Sequence, residues 1–508
     1  MSENTEQQPI TERNANRSRR PSSQAFREFI AGNWAPRAAE PVQAGPAAPY
    51  AAARREALSA AIPGDTLVIP AGALKVRSND TDYAFRPHTA FSYLTGLGTD
   101  QEPDAVLVLH ARNDDELPDG AAHHEAVLYT RPLAGRDTEE FYADARYGEF
   151  WVGARWTLQE AEALTGIRAA HIDELRDALA KDAGTPGVSL RVVRGADDAV
   201  ASLVDVVAAE NGQTSFEERE ADDELAQVVS EQRLIKDEFE IEQMRLAVAA
   251  TLEGFGRVAR ELPRAVAHHR GERVVEATFA TTAREEGNEV GYDTIAAAGD
   301  HATTLHWIRN DGQVREGELL LLDAGVEVDS LYTADITRTV PINGRFSEVQ
   351  RRVYEAVLDA ADAAFAAARP GVLFREVHEA AMAVLAQRLE TWGLLPVPAA
   401  QALTPEGQQH RRWMPHGTSH HLGMDVHDCA QARAEMYMDA PLRPGMVFTI
   451  EPGLYFKADD LAVPAEYRGI GVRIEDDVLV TAEGVENLSA ALPRTAEGVE
   501  AWLAEHQR

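Results

Sequence analysis

At 508 residues the chain is too long for one ordinary domain, so two or three domains are expected. Its net charge of −34 argues against nucleic acid and anionic membranes as partners. The single cysteine, Cys429, excludes an intrachain disulfide and a cysteine-based zinc site. No apolar run is long enough for a transmembrane helix, and the polar start lacks the apolar core of a secretory signal, so a cytoplasmic location is expected.

The first half of the chain predicts an arm followed by an α/β domain. Residues 1–45 are polar and end in a proline-rich stretch, which predicts a flexible arm. In the block 46–215, the apolar segments DTLVIPAG and AVLVLHA predict strands. The acidic stretch ENGQTSFEEREADDE, at 210–224, predicts a connection to a second domain over 226–508.

The second half alternates predicted helices and strands. QRLIKDEFEIEQMRLAVAATLEGFGRVA predicts a long amphipathic helical region, and Ser347–Gln350 has the form of a capping box that opens another helix. The segments LLLLDAG, LYTADITRTVPI, MVFTIEPG and GVRIEDDVLVT predict strands. Polar residues that follow or interrupt these apolar runs are held by a rigid sheet, which is a suitable support for a metal centre.

Five polar residues in such contexts form a candidate ligand set for two metal ions, namely Asp323, Asp335, His420, Glu451 and Glu475. Four converging carboxylates repel each other unless cations neutralise them. Oxygen-rich sets of this kind suit Mn²⁺, Fe²⁺, Co²⁺ or Zn²⁺, and two such ions can share a bridging water whose pKa falls towards neutrality. The resulting hydroxide is a nucleophile for an amide carbonyl, so the set indicates a two-metal hydrolase.

The histidines at 416 and 420 are four residues apart, which on a helix would resemble a zincin pair. HGTSH lacks the glutamate that follows the first histidine of a zincin, and Gly417 and Gly423 weaken a helix. The zincin reading is therefore rejected. His420 then remains a ligand, while His416 and His427 are candidates for contact with substrate.

With these motifs in hand, residues 226–490 resemble the pita-bread metallopeptidases, and aminopeptidase P (Xaa-Pro aminopeptidase) most of all. The segments that carry the resemblance are RLIKDEFEIEQMR, TLHWIRN, LLLLDAG, DITRTVPING, MPHGTSHHLGMDVHD, PGMVFTIEPGLY and YRGIGVRIEDDVLVT. The preceding half, with FSYLTGL and EPDAVLVL, is similar to the creatinase-like domain of this family. The resemblance implies an α/β (α+β) fold, with a creatinase-like N-terminal domain followed by a pita-bread catalytic domain.

The resemblance also implies an activity and a role for each matching residue. It implies release of the amino-terminal residue from peptides with proline in second position, by attack of a hydroxide that bridges two divalent ions, with Mn²⁺ expected. Asp335 and Glu475 would bridge the ions, and Glu451 would also handle the proton of the hydroxide. His306 and His427 would stabilise the oxyanion. The residues implied around the proline pocket are His416, Tyr455 and Arg473. A homodimer or homotetramer is implied as well.

Two points stay open at the level of the sequence. Eleven residues separate the two aspartates (335 − 323 − 1), one more than is usual in the family, and the extra residue falls in the VEVDSLY segment. Prolidase has the same ligands and cuts Xaa-Pro dipeptides, so it is the nearest alternative activity. Methionine aminopeptidase generally lacks the first domain, and a catalytically inactive pita-bread binding module would lose metal ligands that this chain retains.

Overall fold

The computed structural model describes residues 21, 23–37, 42–99, 102–112, 123–213 and 215–507. The chain divides into two compact units, and the boundary lies between Val229 and Ser230. Both units mix helices and strands, which confirms the mixed fold class predicted from the sequence. The domain boundaries predicted from composition stay a prediction. Among the described residues, no helix combines the length and the apolar character needed to cross a membrane.

The first unit is built around a mixed sheet. Its strands are β1 (Thr66–Pro70), β2 (Val76–Ser78), β3 (Thr81–Asp82), β4 (Val106–Ala111), β5 (His124–Thr130), β6 (Arg168–His171) and β7 (Leu190–Val192). The main sheet has the order β6–β5–β4–β1–β7, with β1 antiparallel to β4 and parallel to β7. The predicted strands DTLVIPAG and AVLVLHA are thus neighbours at its centre. Every residue of β1 is buried, as expected for a strand covered on both faces.

Helices surround this sheet. They are α1 (Gln24–Ala31), α2 (Ala48–Ala61), α3 (Thr89–Thr95), α4 (Glu139–Ala143), α5 (Glu149–Val152), α6 (Leu158–Thr165), α7 (Leu175–Ala183), α8 (Asp198–Glu210) and α9 (Ser215–Gln232). Helix α1 lies inside the predicted flexible arm, whose first 20 residues are outside the described part of the chain. Helix α9 occupies most of the acidic stretch that was predicted to be a connection, so that stretch is largely helical.

The second unit contains several small antiparallel sheets. Its strands are β8 (Glu289–Val290), β9 (Ile295–Ala298), β10 (Leu319–Ala324), β11 (Val326–Glu327), β12 (Ile336–Pro341), β13 (Val447–Ile450), β14 (Gly453–Phe456), β15 (Ile470–Arg473), β16 (Asp476–Val480) and β17 (Val485–Asn487). One sheet has the order β12–β10–β9 and another β13–β16–β17, while β14 pairs with β15 and β8 with β11. The predicted strands of the second half are therefore present, though shorter than their sequence patterns.

Helices, most of them long, accompany these sheets. They are α10 (Glu238–Ala267), α11 (Gly271–Glu286), α12 (Glu348–Ala367), α13 (Phe374–Thr391), α14 (Ala399–Ala402) and α15 (Ala496–His506). The predicted capping box is present: the Ser347 hydroxyl accepts from the Gln350 amide, and the Gln350 side chain accepts from the Ser347 amide. A second capping box, Asp237 with Glu240, starts α10. These caps fix where the helices begin beside the sheets.

A buried ion cluster ties the start of the second unit to its later part. Lys236 Nζ lies 2.9 Å from Asp428 Oδ2, and an Arg233 amino group lies 2.9 Å from Asp428 Oδ1. Burial alone would raise the pKa of Asp428, but the two cations lower it to about 2. Asp428 directly follows His427, so this cluster fixes the backbone that carries a predicted site residue.

Candidate metal centre

Two strand ends bring the two aspartates together. Asp323 is in β10 opposite Thr337 of β12, and Asp335 immediately precedes β12. The segment between them turns at Val328–Leu331, where the Leu331 amide donates to the Val328 carbonyl and Leu331 has a φ of 72°. The predicted extra residue lies in the segment that contains this turn. The antiparallel pairing of β10 with β12 continues up to Ala324 and Ile336, so it sets the position of Asp335.

The histidine and the glutamates come from the other sheets. Glu451 follows the last residue of β13, and its amide donates to the Thr418 carbonyl. The same strand fixes His420, whose carbonyl accepts from the Thr449 amide. Glu475 lies between β15 and β16, where its amide donates to the Thr337 carbonyl. Backbone hydrogen bonds therefore hold these residues against rigid strands.

Three of the predicted ligands form a compact trio. One donor atom each of Asp335, His420 and Glu475 lies within 4.8 Å of the other two. His420 Nε2 is 3.3 Å from Asp335 Oδ2 and 3.6 Å from Glu451 Oε1. His420 Nδ1 lies 3.2 Å from the His421 carbonyl, to which it can donate, so Nε2 is the ring nitrogen that faces the carboxylates. Among the residues that the structure describes, this geometry fits a metal centre.

Nine of the ten predicted ligand, oxyanion and pocket residues, all but Tyr455, line one cavity of about 540 Å³. They are Asp323, Asp335, His420, Glu451, Glu475, His306, His416, His427 and Arg473. Tyr455 is buried behind them, with its hydroxyl 2.7 Å from His416 Nε2 and 3.0 Å from an Arg473 amino group. The structure thus brings every residue of the predicted site to one place.

Arg473 contacts the ligands more closely than a pocket-lining role requires. Its guanidinium forms an ion pair with Asp323 and lies 3.9 Å from Glu475. Its Nε donates to the Thr337 hydroxyl, which in turn donates to Glu475 Oε2 at 2.6 Å. Only 4% of Arg473 is exposed, so it supplies a buried positive charge beside the carboxylates.

Tyr292 is a site residue that sequence reasoning missed. Its hydroxyl lies 2.6 Å from Oδ1 of both Asp323 and Asp335, so one proton is shared between two ligand carboxylates. It sits in the short segment between β8 and β9, where no spacing or periodic pattern marks it. Tyr292 fixes the orientation of both aspartates relative to each other.

The pKa values of the clustered carboxyl and imidazole groups, in the absence of metal, indicate a site for cations. Burial and then the charge of Asp335 raise the pKa of Glu475 well above its ordinary value. Burial also raises the pKa of Glu451 to about 7, against the lowering effect of His420 and Arg473. Although burial opposes it, the contacts of His420 with Asp335 and Glu451 raise the pKa of its ring to about 9. Without metal, the crowded carboxylates relieve their repulsion by taking up protons. A pair of divalent cations would neutralise them in place of those protons.

Metal-stripped protein is expected to lose stability as the pH rises. The Glu451 carboxyl holds its proton to about pH 7 in the folded protein, against a reference value of 4.5. Between these two pH values the folded state binds more protons than the unfolded state. The stabilising contribution of the Glu451 carboxyl is therefore present below about pH 4.5 and is lost as the pH rises to about 7. Thermal midpoints of stripped and metal-loaded protein are to be compared across this range, and their difference is expected to widen with pH. A constant difference would contradict this account.

Comparison with known proteins assigns both halves of the chain. Residues 51–188 match the family described as "Aminopeptidase P, N-terminal domain", and residues 242–482 match "Metallopeptidase family M24". Two proteins of Streptomyces coelicolor, "Xaa-Pro aminopeptidase 1" and "Xaa-Pro aminopeptidase 2", are 53% and 51% identical to it. The matches cover 89% and 90% of this chain, and 86% and 91% of those proteins.

A solved structure agrees with this assignment. "Zn substituted E. coli Aminopeptidase P in complex with product" superposes with a TM-score of 0.78 at 30% identity, over 92% of this chain and 100% of that one. The predicted fold, a creatinase-like N-terminal domain followed by a pita-bread domain, is confirmed, as is the predicted dependence on divalent metal ions. The chain therefore belongs to metallopeptidase family M24 and, within it, to the aminopeptidase P family of metal-dependent Xaa-Pro aminopeptidases.

Proposed function

We propose that this chain releases the amino-terminal residue from peptides whose second residue is proline. The observation that carries the proposal is the convergence of four carboxylates and one imidazole on a single cavity, in a chain of this family. An Xaa-Pro bond has a tertiary nitrogen without an N–H, so a specialised site needs a shaped pocket for the pyrrolidine ring. The cavity of about 540 Å³ has room for such a ring and the residue before it.

The residues that would hold two divalent ions are Asp323, Asp335, His420, Glu451 and Glu475. When bound, the ions supply Lewis-acid chemistry, because they acidify a water and polarise the scissile carbonyl. The set has one nitrogen and otherwise carboxylate oxygens, which favours Mn²⁺ as the resident metal. Tyr292 and Arg473 would keep Asp323 oriented, through the contacts described above.

Glu451 is proposed to take up the proton of the attacking water and return it to the proline nitrogen. Only 14% of its side chain is exposed, so bulk water competes little for that proton. His416 lies 3.6 Å from Glu451 Oε2, and its own pKa is lowered to about 3 by burial, so it stays neutral beside the carboxyl.

His427 and His306 are proposed to face the oxyanion that develops on the scissile carbonyl. The ring of His427 packs edge-on against His420 with centroids 4.6 Å apart, so it lies next to the ligand trio. Burial and then the charge of His420 lower the pKa of His427, which favours a neutral ring that donates one hydrogen bond. His306 lines the same cavity from a loop between β9 and β10.

The proline ring is proposed to rest against His416, Tyr455 and Arg473. The Tyr455 hydroxyl contacts both of the other side chains, so the three form one wall of hydrogen-bonded groups. A homodimer or homotetramer and a cytoplasmic location are also proposed, on the family resemblance and on the amino-acid composition respectively. Gel filtration and cell fractionation test these two points.

Cleavage by metal-stripped protein, with and without added Mn²⁺, tests the function. The substrates are an Xaa-Pro-Xaa tripeptide, an Xaa-Pro dipeptide and a Met-Ala peptide. We expect Mn²⁺ to restore cleavage of the tripeptide, with little action on the other two. A preference for the dipeptide would make the enzyme a prolidase. No cleavage of any peptide and no bound metal would leave a catalytically inactive binding module.

A further inference from the structure

A fully buried carboxylate outside the ligand set organises one wall of the cavity. Glu272, in the first turn of α11, has no exposed surface. Its Oε1 accepts from the Ala298 amide at 2.8 Å and lies 2.7 Å from His301 Nδ1. Its Oε2 accepts from Trp307 Nε1 at 2.9 Å and from the Gly312 amide at 2.6 Å. A carboxylate can only accept, so His301 Nδ1 must carry a proton.

These contacts clamp the loop that joins β9 to β10. The Gly312 carbonyl accepts from the Glu272 amide, and a Cβ at Gly312 would lie 2.7 Å from Glu272 Oε2. Inside the loop, buried Asn310 accepts from the Ala296 amide and donates to the Thr294 carbonyl. The loop is therefore tied to the body of the unit at His301, Trp307, Asn310 and Gly312.

The same loop carries His306 into the cavity. Leu305, His306 and Ile308 line the cavity, and residues 304–311 have no helix or strand that would fix them. His306 is exposed, while Trp307 next to it is held by Glu272 through its Nε1 and by His301 through ring stacking at 3.8 Å. Trp307 directly follows His306 in the chain, so its held indole restricts the backbone that carries His306.

We propose that Glu272 is a positioning residue for His306 and acts through Trp307. The proposal rests on the proposed function, because it requires His306 to face the scissile carbonyl. A hydrogen bond to a buried carboxylate is stronger than one between neutral groups, and Glu272 joins the indole to two backbone amides through one rigid group. Without the indole N–H, the ring keeps its stacking surface but loses the bond that fixes its direction, and His306 loses its alignment.

A double-mutant cycle on the full-length, Mn²⁺-loaded enzyme tests this inference. Trp307→Phe keeps an aromatic ring and removes the N–H donor, and it is combined with His306→Ala. We expect Trp307→Phe alone to lower kcat for an Xaa-Pro-Xaa tripeptide about tenfold, with KM, metal content and oligomeric state unchanged. In the His306→Ala background the same change is expected to cost nothing further, because the aligned group is already absent.

A second variant and a matched control sharpen the test. His301→Phe keeps a ring against the indole and removes the other side-chain donor to Glu272, so it is expected to show the same dependence on His306. Trp392→Phe is the control, since its ring also stacks on an aromatic neighbour, Tyr467, and it is expected to leave kcat unchanged.

The outcomes separate this inference from the proposed function. If Trp307→Phe leaves kcat unchanged, or if its loss is the same with and without His306, Glu272 has only a structural role. If His306→Ala is itself fully active, the proposed role of His306 fails, and the positioning inference fails with it. A fall in kcat that disappears in the His306→Ala background supports both.

Discussion

Replacing Asp335 by alanine is expected to abolish both metal retention and Xaa-Pro cleavage while the fold persists. Asp335 belongs to the ligand trio, and its two oxygens contact His420 and Tyr292. Loss of groups that merely support a ligand costs about 10–100-fold in metal affinity, so loss of a shared ligand is expected to exceed about 100-fold. Elemental analysis after gel filtration and tripeptide cleavage with excess Mn²⁺ measure the two effects.

The same substitution also tests whether the crowded carboxylates are a source of strain. Asp335 raises the pKa of Asp323, Glu451 and Glu475, so its removal relieves repulsion among them. Metal-stripped Asp335→Ala is therefore expected to have a thermal midpoint no lower than that of metal-stripped wild type. Asp329→Ala, at an exposed position in the turn between the two aspartates, is the control that keeps metal and activity. Full activity of Asp335→Ala would refute the ligand assignment.

Glu451→Gln is expected to lower kcat about 100- to 10,000-fold, the range for loss of a general acid–base group. Glutamine keeps the shape of the side chain and one oxygen, but its amide cannot take up the proton of the attacking water. Because the hydrogen bond from the Glu451 amide to Thr418 does not involve the side chain, the backbone there is expected to stay in place. Steady-state kinetics with saturating Mn²⁺ give kcat and KM for the tripeptide.

A metal analysis and a control variant accompany Glu451→Gln. Metal content, determined on the same sample, separates loss of proton transfer from loss of a ligand, and we expect part of the metal to remain. Glu466→Gln makes the same chemical change at an exposed position and is expected to leave kcat as it is. Wild-type kcat in Glu451→Gln would exclude Glu451 as the proton carrier and assign that role to another group.

Most of the proposed ligands could be picked out from the sequence because they follow or interrupt an apolar run. Asp323 ends a run of leucines in β10, and Glu451 follows the apolar strand β13. Their partners had no such mark. Tyr292 lies 31 positions before Asp323, its hydrogen-bond partner, and Lys236 lies 192 positions before Asp428. Contacts over such separations depend on tertiary packing, which local patterns do not contain.

The alternating patterns overestimated the extent of the strands near the metal centre. LYTADITRTVPI alternates throughout, yet β12 begins only at Ile336, because the Asp335 amide donates to the Asp477 side chain instead of to a neighbouring strand. GVRIEDDVLVT splits into β15 and β16 around Glu475, since the two parts pair with different strands. At strand ends the residues are no longer paired with a neighbouring strand, so their side chains can converge on one site. The alternating pattern therefore predicts strand where the site residues have none.

The acidic stretch at 210–224, predicted to connect two domains, is helical over most of its length. A run of acidic residues favours a solvated connection, but Asp222 in α9 is buried and accepts from the Val192 amide at 2.6 Å. Arg194 pairs with the same carboxylate. Alanine, glutamate and glutamine are good helix formers, which agrees with the helix over most of this stretch.

The distribution of the ligands along the chain has a consequence for biosynthesis. The first ligand is residue 323 and the last is residue 475, and between them lie two long helices, α12 and α13. A nascent chain that has not yet been extended to Glu475 holds an incomplete set of the proposed ligands, whatever its earlier part has folded into. A chain terminated before Glu475 therefore yields a fragment that lacks one of the proposed metal ligands.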